Sequence, residues 1–216
     1  LQNFAAVDLS AFYLDIVKDR LYTSGKKSLS RRATQTVLYE VMNVILKIMT
    51  PVMPHQAEDI FSYVPEIQKN GLESILLSDW CTTNSQWVNP DIEAKWTQIL
   101  KVREVVTKAI EPLRADKKVG SSLEVAVYLS VENEKLAGLL KSSEKDLSDI
   151  FITSQAFIDE NPENEVLNTF EEDGIKVQVT KALGEKCERC WKYRVLDKNS
   201  KHPTICDDCQ EAIEEV

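Results

Sequence analysis

Apolar residues recur at helical spacing over the first hundred or so positions and at strand spacing after them. Over residues 9–22, Leu9, Phe12, Tyr13, Ile16, Val17 and Leu21 fall on one stripe, predicting a helix capped by Asp8 or Ser10. Residues 23–28 read as a polar loop, with Gly25 near the C-cap position. A longer helix is predicted over 30–50. Its apolar face (Val37, Leu38, Val41, Met42, Ile45, Ile48 and Met49) is wide enough for the centre of a bundle. Pro51 and Pro54 end it and open a shorter helix through Phe61. Residues 64–90 read as loop, with one short strand expected at Ile75-Leu76-Leu77. Asn89-Pro90 supplies an N-cap and a first-turn proline for a helix whose inner face carries Ile92, Trp96, Ile99, Val106 and Ile110. Arg103 shares that face and is expected to reach inward and pair with a carboxylate of the bundle. Glu104 and Lys108 form an i,i+4 pair outside, and Pro112 should kink or finish the helix.

After Gly120 the period changes. Leu123, Val125, Val127 and Leu129 alternate with Glu124, Ala126, Tyr128 and Ser130, as in a half-buried strand. Short helices follow at 134–140 and 144–150, then strands at 151–158 and 174–180. The pattern predicts a mainly α protein: a helical bundle over 1–119, a small α+β module over 120–182 and a cysteine-bearing tail over 183–216.

Chemistry is densest in that tail. Cys187-Glu188-Arg189-Cys190 is followed after fifteen residues by Cys206-Asp207-Asp208-Cys209. Each C-x-x-C turn aims two thiolates at one point, and two such turns complete a tetrahedral shell for one structural Zn2+. With four protein ligands the metal would hold structure and activate no water. A redox pair or disulfides would be the alternative. The fifth cysteine, Cys81, reads as a small buried apolar residue, and this cysteine usage favours a reducing compartment.

Composition (43% hydrophobic, 28% charged) is that of a globular protein, and no apolar run is long enough to span a bilayer. The start, Leu1-Gln2-Asn3-Phe4, resembles neither an initiator nor a signal peptide and reads as an internal stretch of a longer polypeptide. The net charge of −9 is unevenly spread. Residues 1–120 carry 15 basic against 14 acidic side chains, and residues 121–216 carry 11 against 21. Contact with nucleic acid must therefore use local basic patches, which suits one folded RNA better than general DNA or backbone binding.

Candidate patches are three. Lys18 and Arg20 lie on the first helix, where Asp15 and Asp19 could equally absorb their charge. Lys26, Lys27, Arg31 and Arg32 sit on a loop entering a helix, a placement suited to phosphate. Trp191, Lys192 and Arg194 follow the first cysteine turn. The indole could stack on an unpaired base or cover the thiolates, and the nearby cations, with Lys186 and Arg189, could offset a formally −2 metal shell. His55 and His202 carry no assigned chemistry.

Four stretches resemble a known family. Residues 13–22 (Tyr13-Leu14-Asp15-Ile16-Val17-Lys18-Asp19-Arg20-Leu21-Tyr22) resemble the opening of the anticodon-binding domain of isoleucyl-tRNA synthetases. Residues 51–61, from Pro51-Val52-Met53-Pro54 to Ile60-Phe61, are similar to that domain's next landmark. Residues 96–123, with Val102-Arg103-Glu104-Val105 and Gly120-Ser121-Ser122-Leu123, resemble its last helix and following strand. Gly184-Glu185-Lys186-Cys187 onward resembles the zinc-binding tail of bacterial-type enzymes. The resemblance implies a part of a class I enzyme that joins isoleucine to tRNA(Ile) with ATP, working with catalytic and editing domains of the same synthetase in the cytoplasm or an organelle. Neither nucleotide-binding signature of that class occurs in these residues, so the expected role is tRNA binding without catalysis. A zinc-stapled protein-interaction module is the competing expectation.

Overall fold

A computed structural model describes residues 1–214, and the last two residues of the expected tail lie outside them. The first helical stretch begins earlier than its periodicity indicates and is not uniform. A π-helix covers Phe4–Tyr13, followed by α1 (Leu14–Ile16) and α2 (Lys18–Tyr22), with a break at Val17. Asp8 and Ser10 fall inside the π-helix and cap nothing. None of these three elements buries a residue; Val17, at the break, is 1% exposed.

α3 (Leu29–Met49) matches its expected span, yet it does not occupy the centre of a bundle. Only Thr34 and Leu46 are buried along it, and Val37 is 44% exposed. One edge packs on α4 (Pro54–Ser62) through a small core of Leu46, Ala57, Phe61, Val64 and Ile75. After α5 (Glu66–Lys69), Ile75–Leu77 forms a 3-10 turn instead of a strand. The Glu58 carboxylate accepts from Ser74 Oγ at 2.8 Å and from Ile75 N at 3.2 Å, which folds the backbone back on itself.

The main core lies elsewhere. α6 (Pro90–Ala115) is capped by Asn89, whose Oδ1 accepts from the amides of Asp91 and Ile92. Its inner face packs on a four-stranded sheet of order β2-β1-β4-β3, formed by β1 (Val125–Val131), β2 (Gln155–Ile158), β3 (Val166–Glu172) and β4 (Ile175–Lys181). β1 and β2 are parallel, joined through α7 (Glu134–Ser142) and α8 (Glu144–Phe151); the other pairs are antiparallel. Residues 151–154, expected as strand, belong to the end of α8 and the turn after it. The core unites Val102, Val106 and Ile110 of α6 with Val127, Leu129, Leu147 and Val177 across position 119. The last helix of the first segment is thus built into the core of the second.

Three local expectations change for physical reasons. β1 is buried on both faces because it is a central strand: Ala126 is enclosed and Tyr128 stacks on Phe157 at 4.8 Å. Lys108 reaches Glu172 of β3 at 2.6 Å instead of Glu104, since β3 runs beside the helix. α6 also continues through Pro112. The proline removes one hydrogen bond, but Ile110 and Leu113 on either side are anchored in the core.

Candidate metal centre and nucleic-acid interface

The tail begins at Gly184, whose φ of +88° suits glycine, and whose missing Cβ would otherwise run into the Arg194 carbonyl. That close approach lets β5 (Glu185–Lys186) pair with β6 (Tyr193–Arg194), bending the intervening Cys187–Cys190 turn into a knuckle. Cys187 N donates to Lys192 O at 2.9 Å, and Trp191 N donates back to Cys187 O at 2.9 Å. The second knuckle opens α9 (Asp207–Glu214), which carries Cys209.

All four ligand atoms lie within 4.8 Å of one another. Cys187 Sγ is 3.8 Å from Cys209 Sγ, and Cys190 Sγ is 3.8 Å from Cys206 Sγ. A tetrahedron with Zn–S bonds of about 2.3 Å has edges of roughly 3.8 Å, whereas a disulfide would need about 2.0 Å. The thiols fit a zinc ion and are not cross-linked. Cys206 N also donates to Cys187 Sγ at 3.3 Å, the amide–thiolate contact that stabilises such a shell. Among themselves the thiols share charge unequally: contacts from Cys190 and Cys209 hold Cys206 far below the usual thiol range, and contact with Cys206 pushes Cys190 far above it. Four thiolates at these positions would hold a divalent cation. The unit's own apolar core is Ile205 with Cys187, Cys206 and Cys209, so most of its core members are the ligands.

Polar contacts dock this unit on the sheet. Tyr193 N donates to Ser154 Oγ at 2.7 Å, and Arg194 donates to Ser154 O. Gln155 Nε2 donates to Leu183 O at 3.0 Å and to Tyr193 O at 2.8 Å. Lys192 is only 7% exposed; its ammonium bridges Asp19 of α2, at 2.8 Å, and Asp149 of α8. Burial alone would lower its pKa, but Asp149 and Asp19 together hold it above the ordinary lysine value.

The sequence-derived RNA candidates therefore divide. Lys18 pairs with Asp15, and Arg20 with Asp146 at 3.0 Å. Arg31 closes its own loop by donating to Ser24 O at 3.0 Å. Lys192 and Arg194 face the protein interior as just described. Lys26, Lys27 and Arg32 are exposed. Trp191 is 61% exposed with φ +66°, and Lys186 sits over its ring at 5.6 Å. The indole thus leaves most of its surface open to solvent, as stacking on a base requires. Trp191, Tyr22 and Lys18 line a groove of about 480 Å³ with Arg189 and the 121–123 turn.

Arg103 does reach inward, but its Nε donates to Ile150 O at 2.9 Å and its guanidinium lies 5.0 Å over Phe12, with no carboxylate bonded to it among the described residues. Burial lowers its pKa, and Asp15 partly offsets this. Phe12 meets Trp96 edge-on at 6.4 Å, and Trp96 packs on the main core. His55 is exposed; His202 and Cys81 are half-buried. Sequence reading did not single out Gln155, Ser154 or Asp149, because nothing in a lone polar residue between a helix and a strand marks it as a docking point. Among the described residues no helix is long and apolar enough to cross a membrane.

Comparison with known proteins agrees with this geometry. Residues 1–129 match the family described as the anticodon-binding domain of tRNA ligase, and residues 184–212 match a zinc finger found in FPG and IleRS. The chain is 40% identical over 215 residues to an isoleucine--tRNA ligase of Gloeobacter violaceus, covering 99% of the chain and 21% of that protein. It is 41% identical over 219 residues to one from Desulfitobacterium hafniense and 39% identical over 218 residues to one from Caldanaerobacter subterraneus, covering 23% of each. The chain thus spans under a quarter of the length of these curated relatives.

Proposed function

Given that the chain belongs to the anticodon-binding domain family of tRNA ligases, we propose that it is the tRNA-recognition region of an isoleucine--tRNA ligase. It would hold the anticodon arm of tRNA(Ile) while other parts of the ligase join isoleucine to the tRNA with ATP. The observation that carries this reading is the succession of the two family matches along one chain, anticodon-binding domain then zinc finger. Exposed Lys26, Lys27 and Arg32 supply cations for phosphates, and the free face of Trp191 offers a stacking surface for an unpaired base. Single-stranded RNA is read in this way, through splayed bases and their edges. On this reading the protein works in the cytoplasm or, alternatively, in an organelle.

A second reading, a module that contacts protein only, is favoured by one feature. Phe4, Val37, Val41, Val44, Ile45 and Trp87 line an apolar groove of about 760 Å³. Titration of tRNA(Ile) against the protein at several salt concentrations separates the two. The tRNA reading requires protection of the anticodon arm in footprinting and affinity that falls steeply with salt. Absence of protection at low salt defeats it.

A further inference from the structure

The basic loop between α2 and α3 has little apolar anchorage. Neither α1 nor α2 buries a residue; before the loop, Val17 at the break between them is 1% exposed and Phe12 meets Trp96 edge-on. Its root is held by polar contacts instead. Thr23 N and Thr23 Oγ1 both donate to Asp19 O, at 2.9 and 2.8 Å, so whatever fixes Asp19 fixes the start of the loop. The Asp19 carboxylate is bonded by Lys192, and the Thr23 carbonyl accepts from Arg189. Both cations sit beside Cys190 in the first knuckle, on backbone that the thiolate shell orders.

We propose that the zinc unit fixes the basic loop of residues 24–32, with Lys192 and Arg189 as the positioning residues. Metal in the tail then governs a phosphate-binding surface that it does not touch. Lys192 is the stronger link, because it also bridges to Asp149 and so ties α2, α8 and the knuckle at one buried point. Removing that ammonium leaves two carboxylates facing each other without a counter-charge, a strongly unfavourable arrangement. The consequence for RNA rests on the tRNA reading above, whereas the fixing of the loop does not.

Trypsin provides a direct readout, since Lys26, Lys27 and Arg32 are exposed within the loop. Two variants are compared with wild type: Lys192→Met and Asp19→Asn, the latter outside the zinc unit. Each is assayed for zinc per chain, for the urea midpoint and for the rate of nicking at those three positions. With zinc retained, nicking is expected to rise about tenfold, as local opening of the loop ceases to be opposed. Should Lys192→Met lose zinc, Asp19→Asn alone decides. Zinc-loaded variant nicked at the wild-type rate overturns the proposal. tRNA affinity is then measured for Lys192→Met, Lys27→Ala and the double variant. Positioning predicts that the effect of Lys27→Ala shrinks in the Lys192→Met background. Faster nicking with unchanged tRNA affinity in every variant would keep the loop coupling and defeat the tRNA reading instead.

Discussion

The side-chain amide of Gln155 grips the backbone of Leu183 from both sides: its Nε2 donates to Leu183 O and its Oε1 accepts from Leu183 N at 3.1 Å. A glutamine at the start of β2 thereby replaces a missing strand partner for the segment that leads into the zinc unit. Gln155→Leu keeps the volume and leaves the partner groups unpaired, so docking should weaken by about 1–3 kcal/mol. Urea unfolding followed at the tail, with zinc content unchanged, measures this. An unaltered midpoint would show that water serves Leu183 equally well.

Removing the metal should dismantle only the tail. Because the tail's core is made largely of the ligands themselves, the free energy of the site is largely the folding free energy of that unit. Cys187→Ser or Cys209→Ser should release zinc and expose residues from about Leu183 onward to protease, while α6 and the sheet keep their helical and strand signals in circular dichroism. An ordered tail after chelation would contradict the zinc assignment.

Trp191 is 61% exposed, so its replacement should leave stability and zinc content largely unchanged. Stacking on an unpaired base is worth about 1–3 kcal/mol by alanine substitution. Trp191→Ala should therefore weaken tRNA binding within that range and Trp191→Phe much less. Equal affinity in all three proteins would leave the indole without a role in RNA binding.

The buried ammonium of Lys192 also sets a pH dependence. Its folded-state pKa is raised, so the stability it contributes is fully present below the unfolded value and is lost as pH climbs through the folded one. The stability difference between wild type and Lys192→Met should therefore be level from neutral pH to about 9 and shrink only beyond the ordinary lysine value of about 10.4. Denaturation at a series of alkaline pH values tests the sign. A difference that vanished near neutral pH would show that the bridge is not ionic.

The strongly patterned elements were legible in the chain: α3, α4, α6 with its Asn89 cap, α7, α8 and β4 all follow from periodicity and capping chemistry. The metal ligands were legible because knuckle spacing is a local constraint. What escaped was set by distant partners. β3 reads as an acidic stretch, and only Asp173-Gly174, both at positive φ, signals the hairpin that pairs it with β4. Ile75–Leu77 has the composition of a strand but is turned by Glu58, a residue on another helix. Lys192 has the look of a surface cation, and its burial depends on two carboxylates far away in sequence. α3 misled in the opposite direction, because a wide apolar face states that something covers it and not what.

The position of α6 across the sheet has a bearing on how the polypeptide is made. Its apolar face leaves the ribosome well before the strands that cover it, and β4 is complete only once Lys181 has been added. Until then Val102, Val106 and Ile110 have no lasting partner, since α3 and α4 close around a separate core. The nascent chain therefore presents the apolar face of a long helix before the strands that cover it have been made. A slower synthesis rate or chaperone capture over that interval is expected to raise the yield of correctly assembled protein.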